Sequence, residues 1–361
     1  MGPVLLLLVV IFVVLVFTYT NGFHDAANAI ATVVATKVLT ARQAVLLGST
    51  TNFIGALCGV AVAKTIGAGL VDSTHINTTT VFCAMLAGIV WNLTTWYYGM
   101  PSSSSHALIG GLLGAALASS RNNWSVIIWS VTKTDTATGT VVTDGLLPKV
   151  IVPMLASPVL GFVGGMCVMG LLFAIIRHFR PAAINHLFAK AQLASATYMG
   201  WAHGFADGQK TMGIIALACY VATTQKNLDH APAWLGFLRT PEFKVASWVQ
   251  WSCAVSMALG TYAGGWRIIR TIGHSLVRLK PVQGFAAETT AASLLLVCGR
   301  LGMPVSTTHL ITTAIMGVGC AKRFNTLNWT LVERIVWTWT LTLPGTAILA
   351  YLLVCASRLF N

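Results

Sequence analysis

Asn21-Gly22-Phe23-His24-Asp25-Ala26-Ala27-Asn28-Ala29-Ile30 lies just beyond an apolar run at residues 4–16. It places a carboxylate, an imidazole and two amides where the chain is already nearly long enough to enter a bilayer. An ionisable group at that depth is costly, so the stretch is a functional-site candidate. The second half repeats the pattern in Tyr198-Met199-Gly200-Trp201-Ala202-His203-Gly204-Phe205-Ala206-Asp207-Gly208-Gln209-Lys210-Thr211. One constant offset sets Asn21, Gly22, Phe23 and Asp25 on His203, Gly204, Phe205 and Asp207, and sets Asn28 on Lys210. A second matched pair follows in the same order: Gly99-Met100-Pro101-Ser102-Ser103-Ser104-Ser105-His106 and Gly302-Met303-Pro304-Val305-Ser306-Thr307-Thr308-His309. Two ordered matches indicate an internal repeat, with halves at 1–180 and 181–361.

The 361 residues are 56% hydrophobic and 9% charged, whereas a soluble domain averages about 25% charged. The composition predicts an all-α polytopic membrane protein. Apolar segments run over 4–37, 43–64, 80–100, 102–119 and 149–176, then over 190–222, 243–264, 283–301, 304–320 and 332–357. The first run lacks a preceding basic region and a small-residue cleavage site, so it reads as a retained helix and not a secretion signal. The net charge of +13 is spread over short loops. That distribution suits orientation in a membrane and attraction of anions, not binding of nucleic acid. The eight cysteines lie in or beside apolar segments without a CxxC pair, which points to packing and to neither a disulfide framework nor a zinc site. No phosphate-binding loop for a nucleotide is present, so a gradient must drive any uphill movement. No nucleophile–base pair stands out to support an enzyme.

Loop charge gives a topology. The basic loops at 177–190 and 267–280 are both expected on the cytoplasmic side. Three apolar pieces separate them if 190–222 is interrupted at Asp207, as 4–37 is at its own motif. That region then makes one net crossing from two pieces. Each half makes five net crossings, which inverts one half against the other and leaves both termini on the outer face. Interrupted or re-entrant helices at matching places in inverted halves point to a substrate site near the midplane.

Of nine acidic residues, Asp25, Asp207 and Glu288 fall in apolar surroundings. Pro101 followed by serines, and Pro304 followed by Ser306, Thr307 and Thr308, read as helix starts. Their free N–H groups, the positive end of the helix dipole and the hydroxyls together suit an anion, although simple capping uses the same residues. Carboxylates and an anion repel in a dry site, so a cation must enter too. Asp25 and Asn28 offer oxygen ligands for sodium or a divalent metal. Lys210 either replaces a second cation with its own ammonium or forms a plain ion pair with Asp207. His24, His106, His203 and His309 all lie in the four motifs and are proton-carrier or structural residues. Glu288 reads as a gate, a proton carrier or a counter-ion to Arg300.

These four motifs resemble the inorganic phosphate transporter (PiT) family, and most closely its bacterial low-affinity, proton-coupled branch, whose second signature also reads Asp-Gly-Gln-Lys. The resemblance covers nearly the whole chain. It implies uptake of inorganic phosphate as a metal-phosphate complex with protons, in the plasma (inner) membrane and with no permanently bound cofactor. The co-transported cation is a proton, a divalent metal such as magnesium, or sodium. The resemblance assigns the metal to Asp25, Asn28 and Asp207. It assigns phosphate to Ser103, Ser104, Ser105, Ser306, Thr307 and Thr308 together with Asp25, Asp207, Gln209 and Lys210. Ala206 stands where the second signature usually has Asn, and 223–243 is only a modest loop where many relatives carry a long insertion. Sulfate transport by the same fold, a sodium-coupled symporter and a passive anion channel stay as alternatives, and homodimerisation is left open.

Overall fold

The computed structural model describes residues 2–134, 141–321 and 323–359. Twelve α-helices follow one another among them. The first six are α1 (Pro3–Ala35), α2 (Ala41–Ala56), α3 (Ala61–Ala68), α4 (Thr78–Tyr97), α5 (Ser104–Ser119) and α6 (Val152–Ile176). The second six are α7 (Pro181–Thr224), α8 (Ser247–Ala263), α9 (Trp266–Arg270), α10 (Pro281–Arg300), α11 (Thr307–Cys320) and α12 (Trp329–Ser357). Between α5 and α6 the strands β1 (Val131–Thr134) and β2 (Val141–Asp144) pair antiparallel. Proline opens α1, α7 and α10, where a missing N–H costs nothing.

The predicted interruptions at Asp25 and Asp207 are not there. α1 runs unbroken for 33 residues through its motif, and α7 runs for 44 through its own, about 66 Å at 1.5 Å per residue. The breaks lie elsewhere. α2 and α3 meet at a 71° bend over residues 57–60, and α8 and α9 are parted by Gly264 and Gly265, the first at φ +73° where a Cβ is disfavoured. With α7 unbroken, two helices, α7 and α8, separate the basic loops at 177–190 and 267–280.

Five helices are long and apolar enough to span a bilayer among the described residues, or six if the bent α2–α3 pair is one span. α6 and α12 are the least buried of these. Their outward Leu155, Leu160, Leu171, Leu341, Ile348 and Leu352 are all at least half exposed, an apolar surface of the kind that hydrocarbon covers and water does not.

Contacts between the halves are reciprocal. α5 packs on α12 and α11 on α6; α2 packs on α7 and α8 on α1. The closest approaches are mated as well. Gly114 lies against the Ala347 carbonyl, and its repeat mate Gly317 against that of Phe162. Gly204 lies against Asn52, and its mate Gly22 against Met257. A methyl at Gly114 or Gly317 overlaps backbone, so Gly114→Ala and Gly317→Ala are each expected to cost about 2 kcal/mol by overpacking. The effect reads as a lower unfolding midpoint in detergent. Gly170→Ala, which has open space around it, should leave the midpoint equal or raised.

Two apolar cores result. One gathers residues 7–17 of α1 with α4, α5 and residues 212–222 of α7. The other gathers residues 27–33 of α1 with residues 188–206 of α7, α10 and α11. α1 and α7 thread both, and their motifs lie where they pass from one core to the other.

Candidate functional site

Asp25 on α1 and Asp207 on α7 are each 1% exposed. One oxygen of each carboxylate and one ring nitrogen of His203 lie within 4.8 Å of one another. Two carboxylates at that separation repel by about 3 kcal/mol at an effective dielectric near 20, so the pair demands positive charge. Lys210 supplies some of it. Its Nζ donates to Asp207 Oδ1 and Ser105 Oγ, and to the Val305 carbonyl at 2.9 Å, so all three ammonium hydrogens have acceptors. With both neighbouring imidazoles neutral, two carboxylates against one ammonium still leave the cluster one negative charge in excess.

The hydroxyl-rich helix starts come from both halves, as the sequence predicts, but their residues divide the work. Ser103 and Ser306 cap α5 and α11, accepting from the His106 and His309 N–H groups at 3.2 Å each. The next residues face the carboxylates. Thr307 Oγ1 donates to Asp207 Oδ2 at 3.1 Å, and Thr308 Oγ1 to Asp25 Oδ1 at 3.4 Å. Asn28 Nδ2 donates to both hydroxyls, at 3.1 and 2.9 Å. Across the halves the mates correspond: Asn28 meets Thr308 as Lys210 meets Ser105. Ser104 Oγ is buried and has no hydrogen-bond partner among the described residues.

The four motif histidines fall into two classes. His24 Nδ1 lies 2.8 Å from Asp25 Oδ1, and its Nε2 lies 3.0 Å from Thr95 Oγ1 and 3.3 Å from Ser102 Oγ. His203 Nδ1 bonds Asn52 Oδ1 at 3.0 Å, and its Nε2 stands 3.3 Å from Asp207 Oδ2 without hydrogen-bond alignment. His106 and His309 instead pack edge to face with ring centroids 4.8 Å apart, and His309 lies against Trp339. They form a pair behind the helix starts.

Three sequence-predicted residues lie apart from this cluster or play another part. Gln209 is turned away: its Oε1 accepts from Val62 N at 2.9 Å in the first turn of α3, and its Nε2 donates to the Phe205 carbonyl. Glu288 on α10 is fully buried and held by Thr32, Ser195 and Gln192, the last at 3.2 Å. Arg300 is no counter-ion to it, since it stands over three turns along the same helix and lines a surface cavity with Lys64 and Lys149. Ala206 packs in an apolar core, so no polar contact takes the place of the usual Asn.

The supporting partners Thr95, Asn52, Thr261, Thr32 and Ser195 were not singled out from the sequence. Each is an ordinary polar residue within its own helix, and its role appears only when another helix arrives. Gln192 and Ser195 carried the best available signal, two polar residues one turn apart and so on one face of a helix.

The model of the phosphate transporter family matches residues 21–350. A probable low-affinity inorganic phosphate transporter of Rhizobium meliloti (strain 1021) is 40% identical, covering 98% of this chain and 97% of its own length. Another, of Bacillus subtilis (strain 168), is 37% identical over 96% of each. A solved structure described as "The sodium-dependent phosphate transporter" matches 99% of this chain and 100% of its own with a TM-score of 0.79 and 21% identity, a likeness of fold alone.

Proposed function

The chain belongs to the phosphate transporter family, and on that footing we propose that it carries inorganic phosphate across the membrane in symport with a cation. The site is the cluster of Asp25, Asn28, Asp207 and Lys210 between the starts of α5 and α11. The observation that carries this reading is the meeting of Asp25 and Asp207 within 4.8 Å with His203, joined by Thr307 and Thr308 of α11 and, through Lys210, by Ser105 of α5. Phosphate takes N–H and O–H donors from the two helix starts, the buried Ser104 Oγ of α5 among them. An anion added to a cluster already one charge negative needs a cation at Asp25 and Asn28. A metal-phosphate complex or a proton brought with the anion satisfies that need. His24 and His203, which face the two aspartates, are the proton-carrying candidates, and the edge-to-face His106–His309 pair is a structural one.

The two halves are related by inversion. The basic loops at 177–190 and 267–280 lie on the cytoplasmic side. α1, α2, α4, α5 and α6 each cross once, as do α7, α8, α10, α11 and α12, which puts both termini outside. Access alternates as the contacts around the buried cluster open to one side and then the other. Burial of every cluster side chain to 3% exposure or less supports a carrier caught closed and disfavours a passive channel.

The test is uptake of labelled phosphate by proteoliposomes with pH, sodium and magnesium gradients varied one at a time. Accumulation against the phosphate gradient under one of these is expected. Equilibration without accumulation under all three sinks symport. Sulfate competing as well as phosphate sinks the choice of anion.

A further inference from the structure

A second cluster of cations stands away from the buried site. Lys64 on α3, Arg300 at the end of α10 and Lys149 before α6 line one open cavity of about 710 Å³ with Asp144 of β2 and Gly302. Among the described residues neither Lys64 nor Arg300 has a carboxylate within 4.0 Å, and Lys149 has only Asp144 at 3.9 Å. Three cations against one carboxylate leave the cavity two charges positive.

The position of this cavity is fixed by two contacts. Lys149 Nζ donates to the Leu301 carbonyl at 2.8 Å, and Thr65 Oγ1 to the Gly302 carbonyl at 2.8 Å. The cavity therefore sits on the turn that leads into Pro304, Ser306 and Thr307. The equivalent turn of the first half is held in the same way, by Thr271 Oγ1 on the Gly99 carbonyl at 2.7 Å and Arg267 on that of Tyr97 at 2.5 Å. There Arg267 is engaged, lying over the rings of Trp96 and Tyr97 at 4.8 and 4.9 Å, while Arg270 one turn on is exposed. Lys149 begins the helix that ends in the basic loop at 177–190, so the Gly302 turn is at the opposite face from that loop, the outer one in the orientation proposed above. At that turn Lys64 and Arg300 come together in one cavity, with neither within 4.0 Å of a carboxylate among the described residues.

We propose that Lys64, Arg300 and Lys149 form an outer collecting site for a phosphate group, which delivers it to the turn before α11. Lys64 and Arg300 bind the oxyanion oxygens, while Asp144 accepts the P–OH hydrogen of a protonated phosphate. Sulfate is fully deprotonated near neutral pH and has no such hydrogen, so the same carboxylate repels it. This rests on the transport reading above and gives it an outer recognition step.

The experiment uses the full chain in proteoliposomes of phosphatidylcholine alone and of phosphatidylcholine with phosphatidylglycerol. Lys64→Gln/Arg300→Gln is expected to raise KM for phosphate about three- to tenfold at low ionic strength, with kcat unchanged and the difference shrinking as salt rises. Asp144→Asn is expected to make sulfate a stronger competitor. An unchanged KM at low salt in neutral vesicles overturns the proposal. So does an effect seen only with phosphatidylglycerol, because the cations then serve a lipid headgroup. A wild type that transports no phosphate, or one indifferent to Asp25→Asn, instead defeats the transport reading itself.

Discussion

Asp25→Asn and Asp207→Asn are each expected to cut phosphate uptake at least about 30-fold. The carboxylates sit within 4.8 Å of one another, are closed to solvent, and are bonded by His24, Lys210, Thr307 and Thr308. Removing one partner of a buried, hydrogen-bonded charge set typically costs about 2–5 kcal/mol, and about 1.4 kcal/mol is tenfold. The amide keeps the size of the side chain, so the unfolding midpoint should move far less than uptake. The double variant should be little worse than either single one, because both acids serve one cluster. Uptake within twofold of wild type for either single variant removes that acid from the site.

Lys210→Asn is the second large effect. It gives the second half the residue that the first half has at Asn28, and it removes the only ammonium bonded to Asp207 among the described residues. If Lys210 stands in for a cation, uptake should fall at least about tenfold at ordinary ion concentrations and recover in part as sodium or magnesium is raised. The dependence on that ion should also steepen. Were the Asp207–Lys210 pair merely structural, the same substitution would lower the unfolding midpoint and no ion would restore uptake. Ion titrations of uptake, run beside thermal unfolding of the same preparation, separate the two.

Much of this was legible in the residues. The matched motifs Asn21–Asp25 and His203–Asp207, followed in the same order by the two Gly-Met-Pro motifs, mark the repeat and point to Asp25, Asp207 and the hydroxyls of α5 and α11 as one set. Helix continuity was not legible. The polar motif within 4–37 reads as an interruption, yet Gly22 is there to let α8 approach, since a Cβ on it would meet the Met257 carbonyl. A close helix crossing and a helix break ask for the same small residue, and sequence alone cannot separate them. The real breaks, at residues 57–60 and at Gly264-Gly265, carry weaker polarity and so drew less notice. Gln209 was misread because a motif names residues, whereas a helix sends neighbours to different faces. Asp207 and Lys210 point into the cluster and Gln209 points to α3. Glu288 and Arg300 share a helix and opposite charge, which suggested a pair, but about 18 Å of helix lies between them at 1.5 Å per residue.

The docking of α5 on α12 bears on how the chain is made. α5 presents Gly110 and Gly114 to the backbone of α12, a helix made about 200 residues later. At about 5–20 residues per second, synthesis of the intervening chain takes on the order of tens of seconds. For that interval a glycine-lined groove beside the future pocket faces lipid alone. A product shortened before residue 329 never fills it, so such a chain is expected to be lost as a folded protein and not to persist as a weakened carrier.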